Sequence, residues 1–291
     1  MNQESLPEAV GLFGLGLIGC ALTRRLIAAG VAVRGFDPAP EAMARFAAMG
    51  GHAVPADQVW GADIVISAVF DTGQLAELIA QAPAGNGIPL ISVSTCDPEA
   101  MPGVAEQAAA KGFELIESPI SGTSADVANG DAIMMVAGDP DRAARLAPLF
   151  DAMTRAHFHV GAIGNGNKAK LAINLVLALN RAALAEGLVF AKAIGLEPGD
   201  FLALAQESAA ASKVMGSKGG KMVAREFSPL GRITQCAKDA WLMQQAAPRA
   251  GQGLPLVERY VEILADSVAQ GEGDLDNSAV LLAIERTPVR Q

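Results

Sequence analysis

AVGLFGLGLIGC (Ala9–Cys20) joins a short apolar run to a cluster of glycines and then to a helix-favouring stretch that reaches Ala29 and stops at Gly30. The apolar run reads as a buried strand, and Gly14, Gly16 and Gly19 form G-x-G-x-x-G at the strand-to-helix turn. Glycine at these positions permits a tight turn, close backbone approach to a pyrophosphate, and close packing of the helix that follows. A second strand-like run, VAVRGF (Val31–Phe36), ends at Asp37, 18 residues beyond Gly19. An acid at that distance is placed to hold ribose hydroxyls, so Gly14, Leu15, Gly16, Leu17, Ile18, Gly19 and Asp37 are the expected dinucleotide residues. The Asp37 carboxylate would repel a 2′-phosphate, and Pro38, Ala39 and Pro40 offer no group to bind one, so NAD is favoured over NADP. Arg34 is the one residue that argues otherwise, and it reads as facing solvent.

Further strand-like runs recur at DIVISAVF (Asp63–Phe70), PLISVS (Pro89–Ser94), FELIES (Phe113–Ser118) and AIMMVAG (Ala132–Gly138), with Ala-rich helical segments between them. Alternation of this kind implies a parallel sheet. After Gly166 the character changes: residues 168–195 are apolar on every side, which predicts a long buried helix. Beyond it no strand pattern appears, and LEPGD, SKGG, FSPLG and AGQGLP read as turns between helices. Asp276 or Asn277 is placed to cap one last amphipathic helix. The expected architecture is therefore α/β, an N-terminal Rossmann-type dinucleotide-binding domain (1–163) followed by an all-helical substrate and dimerisation domain (164–291), joined by a long helix starting near residue 167.

Composition narrows the function. The 291 residues are 51% hydrophobic, enough for two cores, and carry a net charge of −9, which repels a phosphate backbone and makes nucleic acid an unfavourable partner. No uninterrupted apolar run reaches the roughly 18 residues a membrane span needs, and MNQESLPEAV has no basic signal-peptide head, so a cytoplasmic protein is expected. Cys20, Cys96 and Cys236 lack any C-x-x-C spacing and read as buried thiols. His157 and His159 alternate within AHFHV, a short strand with both rings on one face, and no metal is called for.

GAIGNGNKAKLAIN (Gly161–Asn174) carries the chemistry. Lys170 and Asn174 lie one turn apart, so their side chains leave the helix in one direction. Polar groups on an otherwise apolar helix need partners or an aqueous cleft. Partial burial and a nearby cationic nicotinamide ring would both favour a neutral lysine, as a general base for alcohol oxidation requires. Lys168, two residues earlier, points elsewhere and reads as an exposed lysine.

These residues resemble the β-hydroxyacid dehydrogenase family, which includes 3-hydroxyisobutyrate dehydrogenase, tartronate semialdehyde reductase and sulfolactaldehyde reductase, and the resemblance covers nearly the whole chain. Its most specific element, G-x-x-G-x-G-x-x-x-K-x-x-x-N, is matched from Gly161 to Asn174. By that resemblance Lys170 is the acid/base and Asn174 the substrate-orienting partner. The family's D-x-P-V-S-G-G loop looks like Glu117–Thr123 here, which implies Ser121, Gly122 and Thr123 as substrate-carboxylate residues, with Thr123 replacing a glycine. Ser94-Thr95 resembles a turn whose threonine nears the nicotinamide ribose. The segment from Phe227 to Asp239 resembles one whose lysine, here Lys238, lies near the cofactor; without the family, Lys238 and Asp239 read as a polar pair on an exposed helix. Ala210–Val214 lacks the glycine and tryptophan usual in the helical domain.

The combined reading is an NAD-dependent oxidoreductase acting on a small β-hydroxy acid or its aldehyde or keto acid, assembled as a homodimer or homotetramer. Two alternatives compete with it. An imine-reductase-like enzyme on the same fold usually lacks the lysine, and a non-catalytic NAD-sensing protein would not need the Lys170–Asn174 pair.

Overall fold

The computed structural model describes residues 6–288. The outer limits of the expected domains (1–5 and 289–291) and half of MNQESLPEAV lie outside the described residues. Two compact units divide between Lys170 and Leu171, inside the helix Asn165–Ala193.

In the first unit, β1 (Ala9–Phe13), β2 (Ala32–Phe36), β3 (His52–Ala53), β4 (Val65–Ser67), β5 (Ile88–Ser92) and β6 (Phe113–Glu117) form one sheet in the order β3-β2-β1-β4-β5-β6. Every pairing in it is parallel. The order reverses between β1 and β4, and a crevice at such a switch point is where α/β sheets bind ligands. Strand β1 is buried because it is central: Val10, Leu12 and Phe13 are covered on both faces. Helix Leu17–Ala28 packs Leu22 and Leu26 onto one face, while Phe13, Trp60 and Phe113 stack on the other.

AIMMVAG does not extend this sheet. Strand β8 (Ile133–Val136) sits in a separate three-stranded sheet, antiparallel to β7 (Ile120–Ser121) and parallel to β9 (Ala156–His159). Within β9, His157 pairs with Asp151 and His159 contacts the Gly138 carbonyl. Of the three cysteines, all free, only Cys96 is fully buried; Cys20 and Cys236 are half-buried, which corrects the expectation.

The second unit contains helices and one isolated bridge among its described residues. Two expectations fail here for instructive reasons. SKGG is not a turn but the middle of helix Lys213–Ala224, where Gly219 lets helix Pro198–Glu207 approach: a Cβ there would lie 2.5 Å from a Leu202 methyl. The helix Asn165–Ala193 is not buried throughout, since only 28% of its most apolar 18-residue window is covered and Val176 and Phe190 are 57% and 63% exposed. That helix is also long and apolar enough to cross a membrane by length and composition, which a search for uninterrupted runs missed because its lysines and asparagines are averaged over many alanines and leucines.

Asp276 organises this unit. Fully buried, it accepts from Lys218 Nζ at 2.8 Å, from the Leu230 N–H, and from the Ser278 N–H and hydroxyl, and it caps the last helical turns. Burial alone would raise its carboxyl, but the Lys218 and backbone donors outweigh that and hold it below the ordinary value of 3.8. A lowered carboxyl stabilises the fold above that ordinary value and loses the contribution as pH falls below it. Lys218→Met should therefore cost about 3–5 kcal/mol at neutral pH, measured by urea unfolding, because it leaves a buried charge unpaired.

Candidate active site

The glycine turn is built as its spacing requires. Gly14 adopts φ +87°, and a Cβ there would lie 2.5 Å from the Ala68 carbonyl oxygen. A Cβ on Gly19 would lie 2.0 Å from the Gly14 oxygen, so neither position accepts a side chain. Gly16 differs, because a Cβ there meets nothing within 4 Å. It faces open space at the N-terminus of helix Leu17–Ala28, whose first turn carries neither a side-chain cap nor an acidic residue. Unpartnered N–H groups at the positive end of a helix, beside open space, fit a pyrophosphate. Asp37, at the end of β2, accepts from the Leu15 N–H at 2.8 Å and the Ala39 N–H at 2.9 Å, which ties it to the glycine turn and leaves lone pairs on both oxygens. Leu15 is buried, whereas Leu17 is partly exposed at the helix start.

At the end of β5, the Ser94 hydroxyl donates to the Val69 carbonyl, Thr95 is buried, and the Cys96 N–H donates to Asn167 Oδ1 at 2.7 Å. One strand over, the wholly buried Glu117 ends β6 and meets the start of the long helix, taking N–H bonds from Gly164 and Asn167. Burial pushes its carboxyl above the ordinary 4.5, and those N–H donors oppose the rise. The loop after it places Ser121 half-buried at the end of β7 and Gly122 at φ +152°. Thr123 commits its hydroxyl and N–H to Asp126 in a capping box for helix Ser124–Asn129, so its change from glycine is answered locally.

The long helix carries Lys170 and Asn174, both more than nine-tenths buried, and leaves Lys168 exposed. They belong to a longer polar stripe. Asn167, Lys170, Asn174 and Arg181 are all buried, and at 100° per residue they fall within about 60° of arc. In the helical unit Asn174 Nδ2 donates to Asp239 Oδ2 at 2.8 Å, and Asp239 Oδ1 also meets Gln235 and, at 3.2 Å, Lys238 Nζ. A carboxylate can only accept, so the amide must turn its NH2 toward Asp239; Asn174 Oδ1 is left buried without a partner. Arg181 donates to the Tyr260 hydroxyl, which burial pushes up to about 12, and to the Cys236 sulfur.

The sequence reading missed Glu117 as a bonding group, and missed Asn167, Arg181 and the burial of Asp239. The Asn167–Arg181 periodicity was available as a signal. The partners of Glu117 and Asp239 were not, since they lie 47 to 65 residues away.

A doubly wound sheet with an open glycine turn, followed by a long helix bearing a buried lysine and asparagine, defines a nicotinamide-dependent oxidoreductase. Residues 9–161 match the family model described as the NAD binding domain of 6-phosphogluconate dehydrogenase, and residues 164–284 match that described as NAD-binding of NADP-dependent 3-hydroxyisobutyrate dehydrogenase. The chain is 31% identical over 288 residues to a probable 3-hydroxyisobutyrate dehydrogenase of Mycobacterium bovis, covering 94% of this chain and 96% of that one. It is 28% identical to 2-hydroxy-3-oxopropionate reductase of Escherichia coli, covering 95% and 97%. Among solved structures, 3-hydroxyisobutyrate dehydrogenase of Mycobacterium tuberculosis with L-serine superposes with TM-score 0.81 at 28% identity, covering 97% and 100%. The chain belongs to the β-hydroxyacid dehydrogenase family.

The glycine geometry separates folding from binding. Gly16→Ala should leave the melting temperature unchanged while weakening NAD binding roughly tenfold or more, about 1.4 kcal/mol, in a fluorescence titration. Gly19→Ala should lower the melting temperature instead, because its Cβ collides with backbone.

Proposed function

We propose that this chain transfers hydride between NAD and a small β-hydroxy acid, or the matching aldehyde or keto acid, with Lys170 as the acid/base. The observation that carries the reading is the buried Lys170–Asn174 pair on one helix face, in a chain whose glycine turn fits a dinucleotide. The nicotinamide, when bound, supplies the hydride acceptor or donor. Lys170 takes the hydroxyl proton as the alcohol is oxidised and returns it on reduction. Asn174, with its NH2 engaged by Asp239, offers Oδ1 as an acceptor for a substrate hydroxyl other than the reacting one, whose single proton goes to Lys170. Ser121 and the Gly122 N–H are the candidate carboxylate donors; Thr123 acts mainly by fixing the loop. Thr95 and Lys238 are the remaining cofactor candidates.

NAD is preferred to NADP on the strength of Asp37, whose charge disfavours a 2′-phosphate. A homodimer or homotetramer is supported by the apolar side chains that the helical unit leaves uncovered, among them Val176, Phe190 and Trp241. The cytoplasm is the proposed location, a reading supported by Asn174 and Arg181, whose side chains on the long helix are bonded within its own unit. Neither nucleic acid nor membrane is a proposed partner. The imine-reductase-like and sensor readings gain no support from a site that retains Lys170 and Asn174.

The test is nicotinamide absorbance with NAD or NADP and a panel of three- to six-carbon hydroxy acids, sulfonated ones included. Turnover with NAD is expected, and Lys170→Met should reduce it ~10²- to 10⁴-fold with NAD affinity nearly unchanged. Full activity in that variant would remove Lys170 from the mechanism.

A further inference from the structure

We infer that Glu117 is a positioning residue for proton transfer: its buried carboxylate clamps the start of the long helix in one rotational setting and so fixes the bearing of Lys170. The inference rests on the reading of Lys170 as the acid/base. Glu117 Oε2 accepts from the Gly164 N–H at 2.5 Å, and Oε1 accepts from the Asn167 N–H at 2.5 Å and Asn167 Nδ2 at 2.6 Å. The two backbone donors come from different positions of the helix start, so one carboxylate holding both resists rotation as well as sliding. Gly166 makes room for this, since a Cβ there would lie 3.0 Å from Glu117 Cδ. Gly164 adopts φ +95° and passes so close to the Pro98 carbonyl that a Cβ would lie 2.9 Å from its oxygen. Asn167 extends the clamp through Oδ1 to the Cys96 N–H, beside Thr95.

Lys170 follows Asn167 by three residues on the same face, about 4.5 Å further along the axis. A helix rotation of about 10° would move a side-chain tip roughly 6 Å from the axis by about 1 Å. Misplacement of that size can cost a reaction ~10²-fold. Glutamine at position 117 would set its NH2 against at least one of these N–H donors and loosen the clamp.

Single-turnover hydride transfer in Glu117→Gln, read by nicotinamide absorbance with saturating NAD and hydroxy acid, separates positioning from folding. The rate constant belongs to each active molecule, whereas a loss of folded protein lowers only the amplitude. The expected result is a rate constant lower by ~10- to 100-fold, with amplitude and NAD affinity close to wild type. A wild-type rate constant, whether at full or reduced amplitude, would overturn the inference and leave Glu117 as a structural cap. Should Glu117→Gln fail to fold, Asn167→Ala keeps the backbone part of the clamp. Its rate constant should fall by a smaller factor, and no change there would equally overturn the proposal. Lys170→Met keeps the two ideas apart: activity surviving in it defeats the catalytic reading itself, while its loss alongside an unaffected Glu117→Gln defeats only the positioning role.

Discussion

The first turn of a helix leaves N–H groups without intrahelical partners, and this chain meets that constraint in two opposite ways. Helix Leu17–Ala28 begins uncapped, with Gly16 facing open space, so its donors and the positive end of its dipole stay open, as an anion site requires. Helix Asn165–Ala193 begins against Glu117, whose buried carboxylate consumes the donors and anchors the segment that carries Lys170. One helix end keeps its donors open, and the other has them taken up by a buried carboxylate. Glycines serve both ends: in the first they admit close backbone approach, in the second they admit a carboxylate.

Buried polarity along the long helix follows a second constraint. Each polar group removed from water must be bonded or leave a cost, and the Asn167–Arg181 stripe is answered piece by piece. Asn167 bonds Glu117 and Cys96, Asn174 bonds Asp239, and Arg181 bonds Tyr260 and Cys236. Two atoms are left over: Arg181 Nε, and Asn174 Oδ1, an acceptor that Asp239 leaves without a donor. Unsatisfied groups of this kind are uncommon in native interiors, and a substrate hydroxyl other than the reacting one would satisfy Asn174 Oδ1. Lys218 with Asp276, a fully buried ion pair of the helical unit, is answered on both sides.

The sequence by itself determined the doubly wound domain, the glycine turn, Asp37, and the Lys170–Asn174 pair, because each depends on local order: strand and helix periodicity, turn stereochemistry, and i, i+4 spacing on one helix. It also determined that the second unit is helical. It misjudged SKGG, since glycine as a hinge and glycine as a packing surface look alike until the neighbouring Leu202 is known. It misjudged the cover over the long helix for a similar reason, as alanine and leucine do not reveal which of their faces a neighbour reaches. Tertiary structure alone decided what each buried polar group bonds. Glu117 reaches Gly164 across 47 residues and Asn174 reaches Asp239 across 65, and no periodicity records a contact made only when distant segments pack.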